Sequence, residues 1–158
     1  MQITQVLANL VAEALESAQA TGALPAAGEV DIKIERPKLA EHGDFSTSLP
    51  LVLVRTMRVP PIQIAAAIVD AMPQHEMIGS AATAPPGFVN FTLSLHWLQS
   101  QVNIVRSLGE KFGAVDSGLG KSVQVEFVSV NPTGPLHVGH ARGAVIGSSL
   151  ANVMEAAG

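Results

Sequence analysis

The sequence predicts an α+β domain followed by the opening β-α unit of a second, α/β domain. Three observations carry that prediction. Helix and strand patterns alternate over residues 1–112 without a βαβ rhythm. Residues 113–122 are rich in Gly and Ser, which is typical of a linker. Residues 123–158 then show a strand, a loop and a helix in that order.

The first element is an amphipathic helix. From Ile3 to Ala18, apolar residues recur at i, i+3 and i+4, and Thr21-Gly22 supplies a stop signal. An alternating segment follows, in which charged residues separate three apolar ones, and it predicts a half-buried strand: Val30, Ile32, Ile34.

Turn chemistry at His42-Gly43-Asp44 precedes the second helix. Either Asp44 or Ser46 is suited to cap it, and its apolar pattern runs to about Met57. A third helix opens at Pro60-Pro61, because proline is tolerated in the first helical turn.

Two apolar runs, about 78–83 and 88–95, flank Ala84-Pro85-Pro86-Gly87 and predict a hairpin. Strand alternation puts Phe88 and Asn90 on one face of the second strand. The apolar residues Val89, Phe91, Leu93 and Leu95 lie on the other face. A further helix is expected from His96 to about Gly109, with an apolar face of Trp97, Leu98, Val102, Val105 and Leu108.

After the linker, the alternating residues Val123, Val125 and Phe127 predict a strand. Residues 131–135 form a loop, and a helix of small residues runs from Leu136 to Gly158. The predicted organisation is therefore a domain over 1–112, a linker over 113–122 and the start of a second domain over 123–158.

Composition narrows the possible functions. The formal net charge is -4, so no basic field covers the whole molecule, and this disfavours a stand-alone nucleic-acid binder. Cysteine is absent, which excludes disulfides and thiolate metal sites. We see no signal peptide, and polar residues interrupt every apolar run, so we expect a cytoplasmic protein without a membrane span.

Residues suited to phosphate chemistry lie where the last helix begins. A helix N-terminus attracts anions, and His137 and His140 share one face of the first turn, from which both can donate hydrogen bonds to phosphate oxygens. Gly139 lets a flat base approach the backbone. Glu126 lies near the carboxyl end of the predicted strand, where we expect a buried carboxylate suited to a cationic partner.

The run from Val125 to His140, with Asn131-Pro132-Thr133-Gly134-Pro135 ahead of His137-Val138-Gly139-His140, resembles the signature of bacterial arginyl-tRNA synthetases. Two upstream matches look like the additional N-terminal domain of that family: Gly43-Asp44-Phe45, Gly87-Phe88-Val89-Asn90-Phe91. The resemblance implies that this α+β additional domain precedes the first β-α unit of a Rossmann-like class I catalytic domain, here truncated.

The resemblance also implies roles for the matched residues. His137 and His140 would be catalytic and, with Gly139, would bind ATP, which Mg²⁺ would accompany without a protein-bound metal site. Arginine would be bound by Glu126, Ser129 and Asn131. A base of the tRNA(Arg) D-loop would meet Phe88 and Asn90, one stacking and one reading the base edge.

The parent enzyme implied by the resemblance activates arginine with ATP and transfers it to tRNA(Arg). The loop Thr133-Gly134-Pro135 lacks the lysine that many relatives carry there, and no Lys-rich second signature motif follows in this chain. We therefore expect the chain alone to be inactive. We also expect the apolar residues of its last helix to cause self-association or to dock onto the N-terminal domain.

Other interpretations stay open at this point. His-x-Gly-His also occurs in small nucleotidyltransferases, and a non-catalytic tRNA-binding module could keep these elements. Single residues have ordinary explanations too. The two histidines could be surface residues, Asn131 a turn former, and Phe88 one of the exposed aromatics that are common on hairpins.

Overall fold

A computed structural model describes residues 3–158, and the chain divides into two compact units, Met1–Asn103 and Ile104–Gly158. The elements of the first unit are α1 (Ile3–Ala20), β1 (Phe45–Thr47), α2 (Leu49–Met57), α3 (Pro61–Asp70), β2 (Ile78–Ala84) and β3 (Phe88–Leu93). Helix α4 (Leu95–Leu108) runs across the division, and α5 (Val138–Ala157) lies in the second unit. Two short 3₁₀ turns lie at Ala40–His42 and Gly109–Lys111. The predicted linker at 113–122 stays a prediction.

Helix α1 confirms the first predicted element. Its apolar stripe is buried from Leu7 to Ala18. Beyond its last turn, Gly22 takes a φ of 77°, and the N–H of Leu24 donates to the carbonyl of Ala18 at 3.0 Å. Glycine adopts this left-handed conformation without a Cβ penalty, which explains the stop at this position.

The three strands form one antiparallel sheet in the order β1-β3-β2. The predicted hairpin is confirmed, with β2 and β3 joined at Pro85-Pro86-Gly87. Val89, Phe91 and Leu93 point into the core as predicted. The prediction for Leu95 was wrong: the chain turns there into α4, and its side chain is 76% exposed.

The predicted strand at Val30, Ile32 and Ile34 is absent from the described residues. These side chains are half-buried against the core and their charged neighbours are exposed, so the alternation did predict burial. A strand also needs hydrogen-bonded partners. Only Glu35 has one, exchanging backbone hydrogen bonds with Ser46 at 2.9 and 2.8 Å.

The predicted helix cap at Asp44 or Ser46 was also wrong. Ser46 lies in β1, and α2 starts only at Leu49, whose N–H donates to the Thr47 hydroxyl at 3.2 Å. Asp44 instead extends the pairing of β1 with β3. Its N–H donates to the Phe91 carbonyl and its carboxylate accepts from the N–H of Leu93, both at 2.8 Å.

Helices α2 and α3 cover the inner face of the sheet, and proline occupies the first turn of each, as expected. Their inward residues form most of the core around Phe91: Leu49, Leu53, Met57, Ile64, Ala65, Ile68. Across residues 3–158 we find no single helix long and apolar enough to cross a bilayer, although α2 and α3 would reach that length together as a pair bent by 113°.

Helix α4 forms where predicted, but its apolar residues are not core. Trp97 is partly buried against the core, whereas the other four predicted core residues are between 39% and 58% exposed: Leu98, Val102, Val105, Leu108. The helical spacing correctly predicted that these apolar residues share one face of α4. Periodicity does not show whether a neighbouring element covers that face.

In the second unit, α5 is confirmed, but residues 123–127 do not form the predicted strand. The part of the chain that the structure describes offers this segment no hydrogen-bonded strand as a neighbour. It packs on α5 instead, with Phe127 lying against Gly147, the buried residue of that helix. Val128 then turns the backbone with a φ of 57°, which is unusual for a β-branched residue.

Candidate functional site

The first turn of α5 holds its two histidines against each other. His137 is the N-cap residue, and its Nδ1 accepts a hydrogen bond from the N–H of Gly139 at 3.1 Å. Nδ1 of His140 accepts in turn from the N–H of His137 at 3.3 Å. The rings stack with centroids 3.6 Å apart and 28° between their planes. The sequence therefore builds a reciprocal capping box from imidazoles.

These hydrogen bonds determine which nitrogen of each neutral ring carries the proton. A nitrogen that accepts a backbone N–H carries no proton, so each neutral imidazole keeps its proton on Nε2. Both rings then have an N–H donor to offer to a ligand.

Gly139 allows the rings to take these positions. A Cβ at residue 139 would lie 2.9 Å from Cε1 of His137 and 3.0 Å from its Nδ1. Any side chain would therefore crowd the ring that caps the helix. The residue is exposed, so the backbone of this turn is open to a ligand. An exposed helix N-terminus, with its partial positive charge and two imidazole donors, is suited to bind phosphates.

The three predicted arginine-binding residues lie on the irregular segment before α5. Glu126, Ser129 and Asn131 are all exposed, which corrects the expectation of a buried carboxylate at Glu126. The reason is the missing strand: residue 126 lies in an open segment rather than between neighbouring strands. Within residues 3–158 the structure records no hydrogen bond from these side chains to one another or to the histidines.

Phe88 and Asn90 lie together on the outer face of the sheet, as the alternation predicted. Phe88 pairs with Ala84 of β2, and Asn90 pairs with Ala82 of β2 and Ser46 of β1. Both side chains are half-buried. Their directly paired neighbours are small residues. No hydrogen bond to the Asn90 amide is recorded within the described part of the chain.

Ser46 and Glu35 also belong to this face, although no local sequence pattern indicates it. Ser46 lies beside Asn90 in the register of β1 and β3, and Glu35 pairs with Ser46 on the next segment. Directly paired residues of an antiparallel ladder project to the same side. Pairing between segments so far apart in the sequence leaves no local signal, so only the register identifies these residues.

The cavity of about 530 Å³ in the second unit lies away from the histidines. Its lining comes from residues 117–125 and the C-terminal half of α5, including Lys121, Met154 and Glu155. The N–H groups of Val115 and Gly118 donate to the last carbonyls of α5 at 2.8 and 2.9 Å, which holds the Gly- and Ser-rich segment against the end of that helix. We therefore assign no chemistry to the cavity.

Comparison with known proteins finds a matching family for each of the two parts of the chain. Residues 5–93 match the family model described as "Arginyl tRNA synthetase N terminal domain". The chain belongs to the arginyl-tRNA synthetase family. Residues 102–158 match a second model of that family, "tRNA synthetases class I (R), catalytic domain". These matches favour a synthetase origin for the His-x-Gly-His turn over a small nucleotidyltransferase.

Curated arginyl-tRNA synthetases are similar over most or all of the chain. The arginine--tRNA ligase of Dehalococcoides mccartyi (strain CBDB1) is 41% identical over 158 residues, which is 100% of this chain and 28% of that protein. The ligase of Nitrosomonas europaea is 47% identical over 135 residues, covering 85% of this chain and 23% of the relative. The chain thus spans about a quarter of these relatives' length.

Two solved arginyl-tRNA synthetases have a similar fold. The Thermus thermophilus enzyme superposes with a TM-score of 0.59 at 28% identity, over 99% of this chain and 24% of that one. The Plasmodium falciparum enzyme gives a TM-score of 0.65 over 97% of this chain and 28% of that one. At 19% identity, the second similarity supports the fold alone.

Proposed function

We propose that this chain supplies the ATP-phosphate site and a tRNA-contacting surface of a cytoplasmic arginine-tRNA ligase. The reaction joins the arginine carboxylate to the α-phosphorus of ATP and releases pyrophosphate; it then transfers the arginyl group to a hydroxyl at the 3′ end of tRNA(Arg) and releases AMP. The observation that carries the proposal is the imidazole pair at the start of α5. Its Nδ1 atoms are bound to the backbone, and its Nε2–H groups are free to donate.

In this proposal, His137 and His140 act on the phosphates of ATP. Negative charge grows on the phosphate oxygens as the pyrophosphate leaves, and donors held in place stabilise that charge more than they stabilise the ground state. The helix N-terminus adds a partial positive charge at the same point. Gly139 would leave the adenine ring free to lie on the backbone.

Arginine would be held by the exposed segment ahead of that turn. Glu126 offers a carboxylate that suits the cationic groups of arginine, either the α-ammonium or the guanidinium. Ser129 and Asn131 offer neutral hydrogen-bonding groups, and the left-handed turn at Val128 separates them from Glu126. This assignment rests on the family resemblance together with the side-chain chemistry.

Mg²⁺ would enter with ATP rather than occupy a site of its own in this chain. Magnesium prefers oxygen ligands in octahedral geometry and is commonly held by substrate phosphates. The imidazoles provide nitrogen donors, so they do not fit a magnesium cage. We therefore assign the ion to the phosphate oxygens of ATP, and assign to the histidines hydrogen bonding to other phosphate oxygens.

The outer face of the sheet is the proposed tRNA surface, with a D-loop base as its ligand. Phe88 would stack on a base that has left its helix, and Asn90 would read the edge of that base. Two observations support this proposal. The half-buried Asn90 amide has no recorded hydrogen-bond partner within residues 3–158, and it lies next to the Phe88 ring. The β2 residues paired with these two are both alanines. Single-stranded RNA is commonly bound in this way.

The ATP assignment is tested by arginine-dependent pyrophosphate exchange in the full-length protein. Loss of one such donor commonly lowers kcat about 100-fold or more, and we expect this of His137→Ala. His96→Ala serves as the matched control, since His96 is an exposed histidine on α4. Unchanged exchange in His137→Ala would refute the phosphate role and leave a non-catalytic tRNA-binding module as the better interpretation.

The tRNA assignment is tested by Phe88→Ala in the same protein. We expect a higher KM for tRNA and slower aminoacylation, while tRNA-independent binding of arginine and ATP stays unchanged. Phe112→Ala is the control, because Phe112 is also exposed, at 54%, but lies outside the sheet. Charging that survives Phe88→Ala unchanged would remove the stacking role.

A further inference from the structure

Four residues form a row across the outer face of the sheet. Glu35 and Ser46 exchange both backbone hydrogen bonds, Ser46 pairs with Asn90, and Asn90 pairs with Ala82. Because directly paired residues project to one side, the row reads Glu35, Ser46, Asn90, Ala82. We call it the Glu35 row. It has a carboxylate at one end and a methyl group at the other.

The members of the Glu35 row differ in what they can recognise. The Asn90 amide can donate or accept, so it does not determine the polarity of its partner, and Ser46 is only 9% exposed. An ionised Glu35 only accepts. Its side chain is exposed, and no ion pair engages it within residues 3–158. It is therefore the one member of the row that can reject a partner lacking a donor.

The spacing of the row suits a nucleobase. Neighbouring strands lie about 4.8 Å apart, so two steps put the Cα atoms of Glu35 and Asn90 about 10 Å apart. A base stacked on Phe88 with one edge at Asn90 lies within reach of the long Glu35 side chain. Ala82 lies on the other side of Asn90, and its methyl group leaves room for the base without forming a hydrogen bond to it.

We propose that Glu35 is a specificity-determining residue that makes this face prefer a nucleobase with an exocyclic amino group. The inference rests on the proposed use of the sheet for RNA and deepens it. A carboxylate accepts from an amino group, as in protein contacts to cytosine N4, and is repelled by a carbonyl at the same place. Uracil presents such a carbonyl.

The carboxylate should also weaken RNA binding in general, because it repels phosphates. A purely electrostatic effect changes the affinity for every RNA alike, whereas a base-reading role changes the ratio between RNAs. Asp31 is the matched control. It lies on the same segment as Glu35 but outside the paired row, its side chain is 82% exposed, and its carboxylate lies 3.9 Å from the Lys33 ammonium.

The experiment measures binding of the chain to short labelled oligonucleotides of cytidine and of uridine by fluorescence anisotropy. We expect cytidine to bind more tightly. Glu35→Gln should raise the affinity for uridine at low salt and shrink the cytidine-to-uridine ratio by about fivefold or more, because it removes both the repulsion of phosphates and the carboxylate contact to the cytosine amino group. Asp31→Asn should raise both affinities and leave the ratio unchanged.

The outcomes separate the two proposals. If Phe88→Ala weakens binding and Glu35→Gln leaves the ratio unchanged, the role of Glu35 is refuted and the RNA surface stands. If Asp31→Asn shrinks the ratio as much as Glu35→Gln, charge alone explains the effect and the base-reading role is lost. If the chain binds neither RNA, or Phe88→Ala has no effect, the RNA surface falls and the Glu35 inference falls with it.

Discussion

The carboxylate of Asp44 accepts a hydrogen bond from the backbone N–H of Leu93 at 2.8 Å, across 49 residues of sequence. This bond ties the segment before β1 to the end of β3, next to Phe91 in the core. Gly43 permits the approach, since a Cβ there would lie 2.6 Å from the Phe91 carbonyl oxygen and the residue has a φ of 87°. The Gly43-Asp44-Phe45 match to the family therefore has a structural explanation.

Asp44→Ala should lower the free energy of unfolding by about 1–3 kcal/mol, because it leaves the Leu93 N–H without its acceptor. Asp44→Asn should lose less, since its amide oxygen can still accept. Urea unfolding of the chain measures both. Glu13→Ala, at an exposed position on α1, is the control and should change stability by less than about 0.5 kcal/mol. Equal losses in the two Asp44 variants would mean that charge, not the hydrogen bond, matters.

Two glycines of α5 should respond oppositely to alanine. A Cβ on Gly143 meets nothing within 4 Å, so Gly143→Ala should stabilise the helix by about 1 kcal/mol. A Cβ on Gly147 would overlap the Phe127 ring, so Gly147→Ala should destabilise the unit by about 1–3 kcal/mol. Thermal unfolding followed by circular dichroism compares them. Stabilisation by Gly147→Ala would show that Phe127 does not pack there.

Local patterns predicted the helices and the hairpin, because helix periodicity, proline at helix starts and a turn between two alternating runs all lie within one segment. The His137–His140 turn was predictable for the same reason. Two imidazoles three residues apart must share a face of the first helical turn.

Strand identity and burial needed information from outside each segment. Phe45-Ser46-Thr47 is too short to show alternation, and it becomes a strand only because β3 pairs with it. Conversely, residues 123–127 alternate well but have no recorded ladder partner within residues 3–158. Glu35 joins the outer face through one bridge to Ser46, which no local pattern could have indicated.

The apolar side of α5 should make the chain self-associate. Val145, Ile146 and Val153 are each 62–66% exposed, and Leu150 is 48% exposed. Contiguous apolar surface of this kind favours association. Light scattering coupled to size exclusion should show oligomers that dissociate in the double variant Val145→Ser, Ile146→Ser. Val52→Ser is the control, at a residue of α2 that is 61% exposed. A concentration-independent monomer would contradict the expectation.

His137 combines a structural and a chemical role, and two substitutions separate them. Asparagine is a good N-cap residue and alanine is a poor one, so His137→Ala should destabilise α5 by about 0.5–2 kcal/mol while His137→Asn should retain most of the cap. Neither variant keeps an imidazole Nε2–H for phosphate. Pyrophosphate exchange by the full-length protein should therefore fall in both, although only one loses helix stability. If His137→Asn restored full exchange, capping of α5 would account for the residue and the proposed phosphate contact would be wrong.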